Sequence, residues 1–209
     1  MNSPQKIPFT RTSTSPEQAN AIRRAVQQAT AIPTDGPLSR LAKPADAPAF
    51  FEFLQDPAIY APIYSLPTPL TLENVTAFIV DYEAQRSAGT GLLFFSFTPD
   101  GALSGYTDLT LWAEWGAGEL GGAVHPNRQG QRKGVDGARR AFEWMFNALG
   151  VDLICETAAL DNVRTARLLD SLGFRRVGKT ISTRADGTTR PSLVWEVTSE
   201  EWSRLHPEN

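Results

Sequence analysis

The chain has a single cysteine, Cys155, among its 209 residues, which excludes an internal disulfide and any zinc site built on cysteine pairs. Histidine is almost as scarce. His125 and His206 are the only two, too few for a histidine-rich metal centre and poor support for a histidine-based triad. No apolar run is long enough to cross a bilayer, and the opening "MNSPQKIPFTRTSTSPEQ" lacks the apolar centre of a secretory signal, so a cytoplasmic protein is expected. An excess of positive charge is also missing. The formal net charge is −3, whereas neutralising nucleic-acid phosphates takes a broad basic surface. Neither nucleic acid nor membrane is an expected partner, and internal repeats and low-complexity tracts are absent.

What is present is an ordinary globular composition, 41% hydrophobic and 21% charged with five tryptophans, in a chain long enough to bury a core without staples. "SPEQANAIRRAVQQATAI" reads as an amphipathic helix. Ser15 is its N-cap, Pro16 takes the first helical position, Gln18 completes a capping box, and Ile22, Ala25, Val26 and Ala29 form one stripe. "IPTDGP" breaks it, "LSRLAK" reads as a first strand, and a helix begins near Asp46. The proline-rich stretch "DPAIYAPIYSLPTPL" reads as an ordered loop, followed by a helix over 71–87 capped by Thr71, with Val75, Phe78, Ile79 and Tyr82 at helical spacing.

From Gly91 the period changes. "LLFFSFT", "ALSGYTDLTLW" and "ELGGAV", separated by "PDG" and a glycine-rich break at 116–118, predict a three-stranded antiparallel meander. A helix follows, apolar along Val135, Ala138, Phe142, Met145, Phe146 and Leu149 and stopped by Gly150. The strand "VDLICETAAL", the helix "DNVRTARLLDSLGF", a hairpin turning at "ADG" and a short polar tail complete a mixed α/β chain.

The charge is concentrated in one place. "HPNRQGQRKGVDGARRAF" gathers Arg128, Arg132, Lys133, Arg139 and Arg140 around glycines, between a strand and a helix start. Such a junction presents unpaired backbone N–H groups and a helix dipole's positive end, which suits a phosphate or pyrophosphate. Two familiar phosphate loops do not fit, because Gly-Lys-Ser/Thr is absent and the dinucleotide fingerprint needs a different place in the fold. Taken alone, the loop reads equally well as a tight turn with a solvated basic face.

A second stretch, "NVRTARLLDSLGF", decides between them. With "QGQRKG" one strand and one helix upstream, it resembles the GNAT superfamily of acyl-CoA N-acyltransferases. Gln129, Arg132 and Gly134 fall on the family's acetyl-CoA loop, with Arg132 where a central glycine is usual. Asn162, Thr165 and "LGF" fall on its second motif. The resemblance runs from about 37 to 202, and "PLSRLAKPADAPAFFEFLQDPAIY", "ELGGAVHPNRQGQ" and "ADGTTRPSLVWEVTSEEW" are similar to the branch containing the ribosomal-protein N-terminal acetyltransferases. It implies a mixed, mostly antiparallel sheet flanked by helices, and an N-terminal extension over 1–36, an acetyltransferase domain over 37–203 and a tail at 204–209.

The resemblance also implies direct acetyl transfer from acetyl-CoA to an amine, without a metal. The pyrophosphate would sit on the amides of Gln129, Gly130, Gln131, Arg132, Lys133 and Gly134, a backbone N–H near Val124 would polarise the thioester carbonyl, and Asn162 would bond the cofactor arm. Many relatives carry an acidic tyrosine seven residues after the motif asparagine; here that position is Leu169, and Thr165 is the nearest hydroxyl. Glu119 is the candidate base, while Glu156 stands one position from where some relatives place one. Tyr60, Tyr64, Trp112 and Trp115 with Asp108 and Glu114 are candidates for an acceptor rim, against packing roles for the aromatics. The expected acceptor is a protein or peptide N-terminus; a small amine such as an antibiotic or polyamine, a non-catalytic acyl-CoA-binding regulator, and a homodimer stay open.

Overall fold

The computed structural model describes residues 6–33, 38–125 and 133–207. Seven strands form one sheet: β1 (Leu38–Leu41), β2 (Gly91–Phe97), β3 (Leu103–Trp112), β4 (Ala117–Val124), β5 (Leu153–Ala159), β6 (Arg175–Thr183) and β7 (Thr189–Thr198). Their spatial order is β1-β2-β3-β4-β5-β7-β6. Every neighbouring pair is antiparallel except β4–β5. The mixed, mostly antiparallel sheet flanked by helices is the architecture the sequence implied.

The helices are α1 (Pro16–Gln28), α2 (Ala47–Phe53), α3 (Pro57–Tyr60), α4 (Leu72–Ala88), α5 (Lys133–Trp144), α6 (Val163–Ser171) and α7 (Ser199–Leu205). They leave one apolar cluster on each face of the sheet. Leu92 and Phe94 pack with Phe142, Met145, Leu169 and Trp195 on one side. Leu93 and Phe95 pack with Phe50, Val75, Ile79 and Tyr106 on the other. A strand covered on both faces is apolar at every position, which is why "LLFF" does not alternate.

The N-terminal helix is no appendage. Ile22 and Val26 are 1% and 0% exposed and belong to the same cluster as Phe142 and Trp195. Ser15 caps it by accepting from the Gln18 backbone N–H at 3.2 Å, but the reciprocal half of the expected capping box is not made. Gln18 instead donates its side-chain amide to Asp152 at 2.7 Å, a tertiary partner outbidding a local one.

Other expectations shift by a few residues. The proline-rich stretch contains the short helix α3, capped by Asp56. The glycine-rich break is a single 3-10 turn, Ala113–Trp115, closed by Gly116 at φ 56°, so that β4 begins at Ala117. The helix after the basic stretch starts at Lys133 and ends in a π-helical turn, Met145–Leu149. Of the predicted tail, Arg204 and Leu205 are the end of α7, whose capping box of Thr198 and Glu201 sets Trp202 against Phe142, Phe146 and Phe174. Seven residues with one apolar anchor carry too little period to be read as a helix.

A cleft between two parallel strands

β4 pairs with β3 along its whole length, from Ala117 opposite Trp112 to Val124 opposite Gly105. With β5 it pairs only at Ala117–Leu153 and Gly118–Ile154, while β5 stays on β7 as far as Ala159. Beyond Gly118 the two parallel strands therefore part. His125 donates its N–H to Ser104 O at 2.9 Å, and antiparallel alternation then turns the N–H and C=O groups of Leu120, Gly122 and Val124 toward the gap. The Leu120 N–H is taken, at 2.9 Å, by the Glu156 carboxyl reaching across from β5. Gly122 holds φ at 147°, and a Cβ there would collide with the Tyr106 carbonyl oxygen, so this edge is shaped for a residue without a side chain.

Glu119 stands where the strands part. By pairing it shares a face with Asp108 and Thr110 of β3, opposite α5, and Thr157 of β5 donates its hydroxyl to the Glu119 carboxylate at 2.7 Å. Burial pushes Glu119 up to about 7; the Thr157 hydrogen bond opposes that shift and the charge of Asp108 adds to it. Asp108 is 6% exposed and is raised by burial to about 6, with the Tyr82 hydroxyl donating to it at 3.1 Å. Its second oxygen has no hydrogen-bond partner and lies beneath Gly121, 2.6 Å from where a Cβ would be. Burial holds Glu156 well above the usual carboxylate range, with the Glu119 charge adding to the shift. Asp108 thus shares the Glu119 face, while Glu156, next to Thr157 in β5, belongs to the other face of the sheet and acts on Glu119 from across the strand edge.

The residues expected at the cofactor divide into three groups. Gln129, Gly130, Gln131 and Arg132 lie outside the described residues. Lys133 and Gly134 form the first turn of α5, directly after the segment that leaves β4. Asn162 caps α6 by accepting from the Thr165 backbone N–H at 3.1 Å. That bond uses its amide oxygen, and its amide nitrogen has no partner among the described residues. The Thr165 hydroxyl likewise has none there. Leu169 is 1% exposed and packs in the core, so it offers no acid at that position. At the ends of the elements that border the gap, Val124, Leu160 and Val163 are 50%, 44% and 55% exposed. The strand edge beyond the last β4–β5 rung, the exposed aliphatic side chains and a helix N-terminus after the basic stretch together fit the extended arm and phosphates of acetyl-CoA.

The expected acceptor rim is only partly assembled. Tyr64 and Tyr60 lie under the Arg184 guanidinium, at 4.6 and 5.0 Å. Trp115 and Glu114 are at the closed end of β3 and β4. There Arg11 covers Trp115 at 4.5 Å, Arg23 faces Glu114 at 3.9 Å, and Thr14 N–H bonds Glu114 O at 3.1 Å. They dock the N-terminal segment rather than lie beside Glu119. Sequence reasoning missed Gly122 and the arginines of the β6–β7 hairpin; the doublet Gly121–Gly122 inside a strand was the available signal for a close backbone approach.

A parallel pair that splays after two rungs, with a half-buried carboxyl at the fork, is the arrangement the sequence resemblance implied for an acyltransferase. The chain belongs to the GNAT family: the model described as "Acetyltransferase (GNAT) domain" matches residues 38–175. It is an N-acetyltransferase of that family. No curated protein matches. Among solved structures, a ribosomal-protein-S5-alanine acetyltransferase from Vibrio fischeri is 16% identical, over 78% of this chain and 93% of that one, with a TM-score of 0.65. Mycobacterium smegmatis RimJ, solved with a CoA-disulfide, is 19% identical over 82% and 84%, at 0.66. RimL, the ribosomal L7/L12 alpha-N-protein acetyltransferase, solved with coenzyme A, is 12% identical over 78% and 94%, at 0.67. These likenesses establish a shared fold. Among the described residues, no helix is long and apolar enough to cross a membrane.

Proposed function

We propose that the protein acetylates the α-amine of a protein or peptide N-terminus, with Glu119 as general base. The observation that carries this reading is the placement of Glu119 at the fork of β4 and β5, half-buried and raised to about 7. A base of that strength is about half ionised at neutral pH and takes up a proton readily, the compromise general-base catalysis favours. It also matches the acceptor. An α-amine, with a pKa of about 8, is partly neutral near pH 7, whereas a lysine amine of about 10.4 is almost wholly protonated.

Acetyl-CoA supplies the acetyl group as a thioester, whose carbonyl carbon the neutral amine attacks as the carbon–sulfur bond breaks. The N–H of Gly122, which alternation turns toward the gap, polarises that carbonyl from the strand edge. Gly122 is three residues from Glu119, about 10 Å along a strand, so the amine passes its proton to Glu119 through water. Asn162 donates its amide nitrogen to the cofactor arm, and the Thr165 hydroxyl solvates the departing sulfur. Residues 129–134 receive the pyrophosphate.

Thiol release from acetyl-CoA should be seen with short peptides bearing a free N-terminus and not with their N-blocked counterparts. Turnover confined to polyamines or aminoglycosides would overturn the acceptor assignment. Asn162→Asp separates the two roles of that residue. Asp caps helices as well as Asn, so thermal stability should hold, while losing one donated hydrogen bond should raise the KM for acetyl-CoA roughly three- to tenfold.

A further inference from the structure

The β6–β7 hairpin carries two arginines, Arg184 and Arg190, that form no ion pair among the described residues, although the charge of Arg184 acts on Asp186 from a distance. Arg190, at the start of β7, lies 4.0 Å above the Tyr64 ring, and Arg184 lies 4.6 Å from the same ring. Arg184 is anchored by donating one terminal nitrogen to the carbonyls of Tyr60, Ala61 and Ile63 at 3.3, 3.0 and 3.2 Å. Arg190 makes no hydrogen bond or ion pair among the described residues. The Nε atoms of both guanidiniums are buried without a partner. Burial, and the neighbouring Arg184 charge after it, weakens Arg190's hold on its proton; Tyr64 and Asp161 act in the opposite direction without an ion pair. Two like charges packed on one aromatic ring, neither in an ion pair among the described residues, are costly unless an anion completes them.

The position of the pair ties it to the acceptor side. Along β7, Ser192, Val194 and Glu196 lie opposite Ala159, Thr157 and Cys155 of β5, and Arg190 continues that alternate row. Thr157 in the same row holds Glu119, so Arg190 and the base look out on the same face of the sheet. Arg190 is four residues along β7 from the Thr157–Val194 rung, about 14 Å at the usual strand rise. The arginine side chain spans part of that distance, and a few residues of extended peptide cover the rest.

Building on the acetyltransferase reading above, we propose that Arg190, supported by Arg184 and Tyr64, binds an anionic side chain lying a few residues in from the amino terminus of the acceptor peptide. A carboxylate and a phosphorylated hydroxyl offer the same chemistry, planar or tripod oxygens that a guanidinium fork receives. Acceptors basic at that position are rejected by the same charge.

Peptides identical except for Glu, phosphoserine, Gln or Lys at positions two to five test this. The wild-type protein should favour Glu or phosphoserine over Gln at one position by roughly ten- to a hundredfold in kcat/KM, and Lys should be worse than Gln. In Arg190→Glu the order should invert, and in Arg190→Gln the Glu-to-Gln ratio should fall to about one, with melting curves showing both variants folded. A wild-type ratio near one at every position would overturn the proposal, as would variants that change only the KM for acetyl-CoA, since the anion would then be a cofactor phosphate. Calorimetry with N-acetylated Glu and Gln peptides gives a readout independent of turnover. Preferential binding of the Glu peptide without any acetylation would retain the anion site and reject the catalytic reading. Acetylation without charge preference would do the reverse.

Discussion

Glu119→Gln is expected to lose two to four orders of magnitude in kcat and, at the same time, to be more stable than the wild type at pH 8. The loss is the usual contribution of a positioned general base, roughly a hundred- to ten-thousandfold. The gain follows from the raised carboxyl. A group at about 7 in the fold and near 4.5 in the unfolded chain favours the folded state least when both forms are ionised. The penalty is absent below about pH 4, grows as pH rises toward 7 and is complete above it, reaching no more than about 3 kcal/mol. Glutamine keeps an oxygen for the Thr157 hydroxyl and carries no charge, so its advantage should appear in melting curves at pH 8 and vanish at pH 4. The rising limb of the wild-type kcat profile should centre near 7 and be missing in the variant. A variant that kept its activity, or gained no stability at high pH, would remove Glu119 from the role of base.

The second large effect concerns the other end of β7. Glu196 is fully buried and accepts three hydrogen bonds from the N-terminal segment: Phe9 N–H at 2.6 Å, Thr10 N–H at 3.0 Å and the Thr10 hydroxyl at 2.7 Å. Nearby, the ring of Phe9 fills the space above Gly178 of β6. Glu196→Ala leaves those donors without acceptors and opens a cavity, at an expected cost of about 3–5 kcal/mol. Glu196→Gln retains an oxygen for the two backbone N–H groups and should cost about 1–2 kcal/mol. Urea melts of the two variants measure the difference, and limited proteolysis should cut Glu196→Ala first before residue 16. Equal stabilities would mean that the N-terminal segment is held by packing alone.

How legible the protein was depended on whether each feature is local. Capping and period placed α4 and α6 within a residue or so, because Thr71 and Asn162 each accept from the backbone N–H three residues on. Gly150 at φ 73° marks a helix end that sequence could read. From sequence Trp115 reads either as a rim residue or as a packing one, because an aromatic side chain carries no mark of its partner; the folded chain shows Arg11 over it. Asp108 was named for the rim, yet its burial under Gly121 and its bond from Tyr82 depend on strand register and on the packing of α4.

By itself the sequence determined the kind of fold and the family it belongs to. The order of periods, the strand-to-helix junction rich in glycine and positive charge, and the asparagine motif one strand later are all written within short windows. The tertiary structure alone decided which carboxyl would be basic and which arginine unpaired. A pKa depends on what surrounds a group in space, and here those surroundings are assembled from β3, β4, β5, β7 and the segment at 60–64. In the chain these are separated by tens of residues, and their approach is set by sheet order and packing, which no local pattern records.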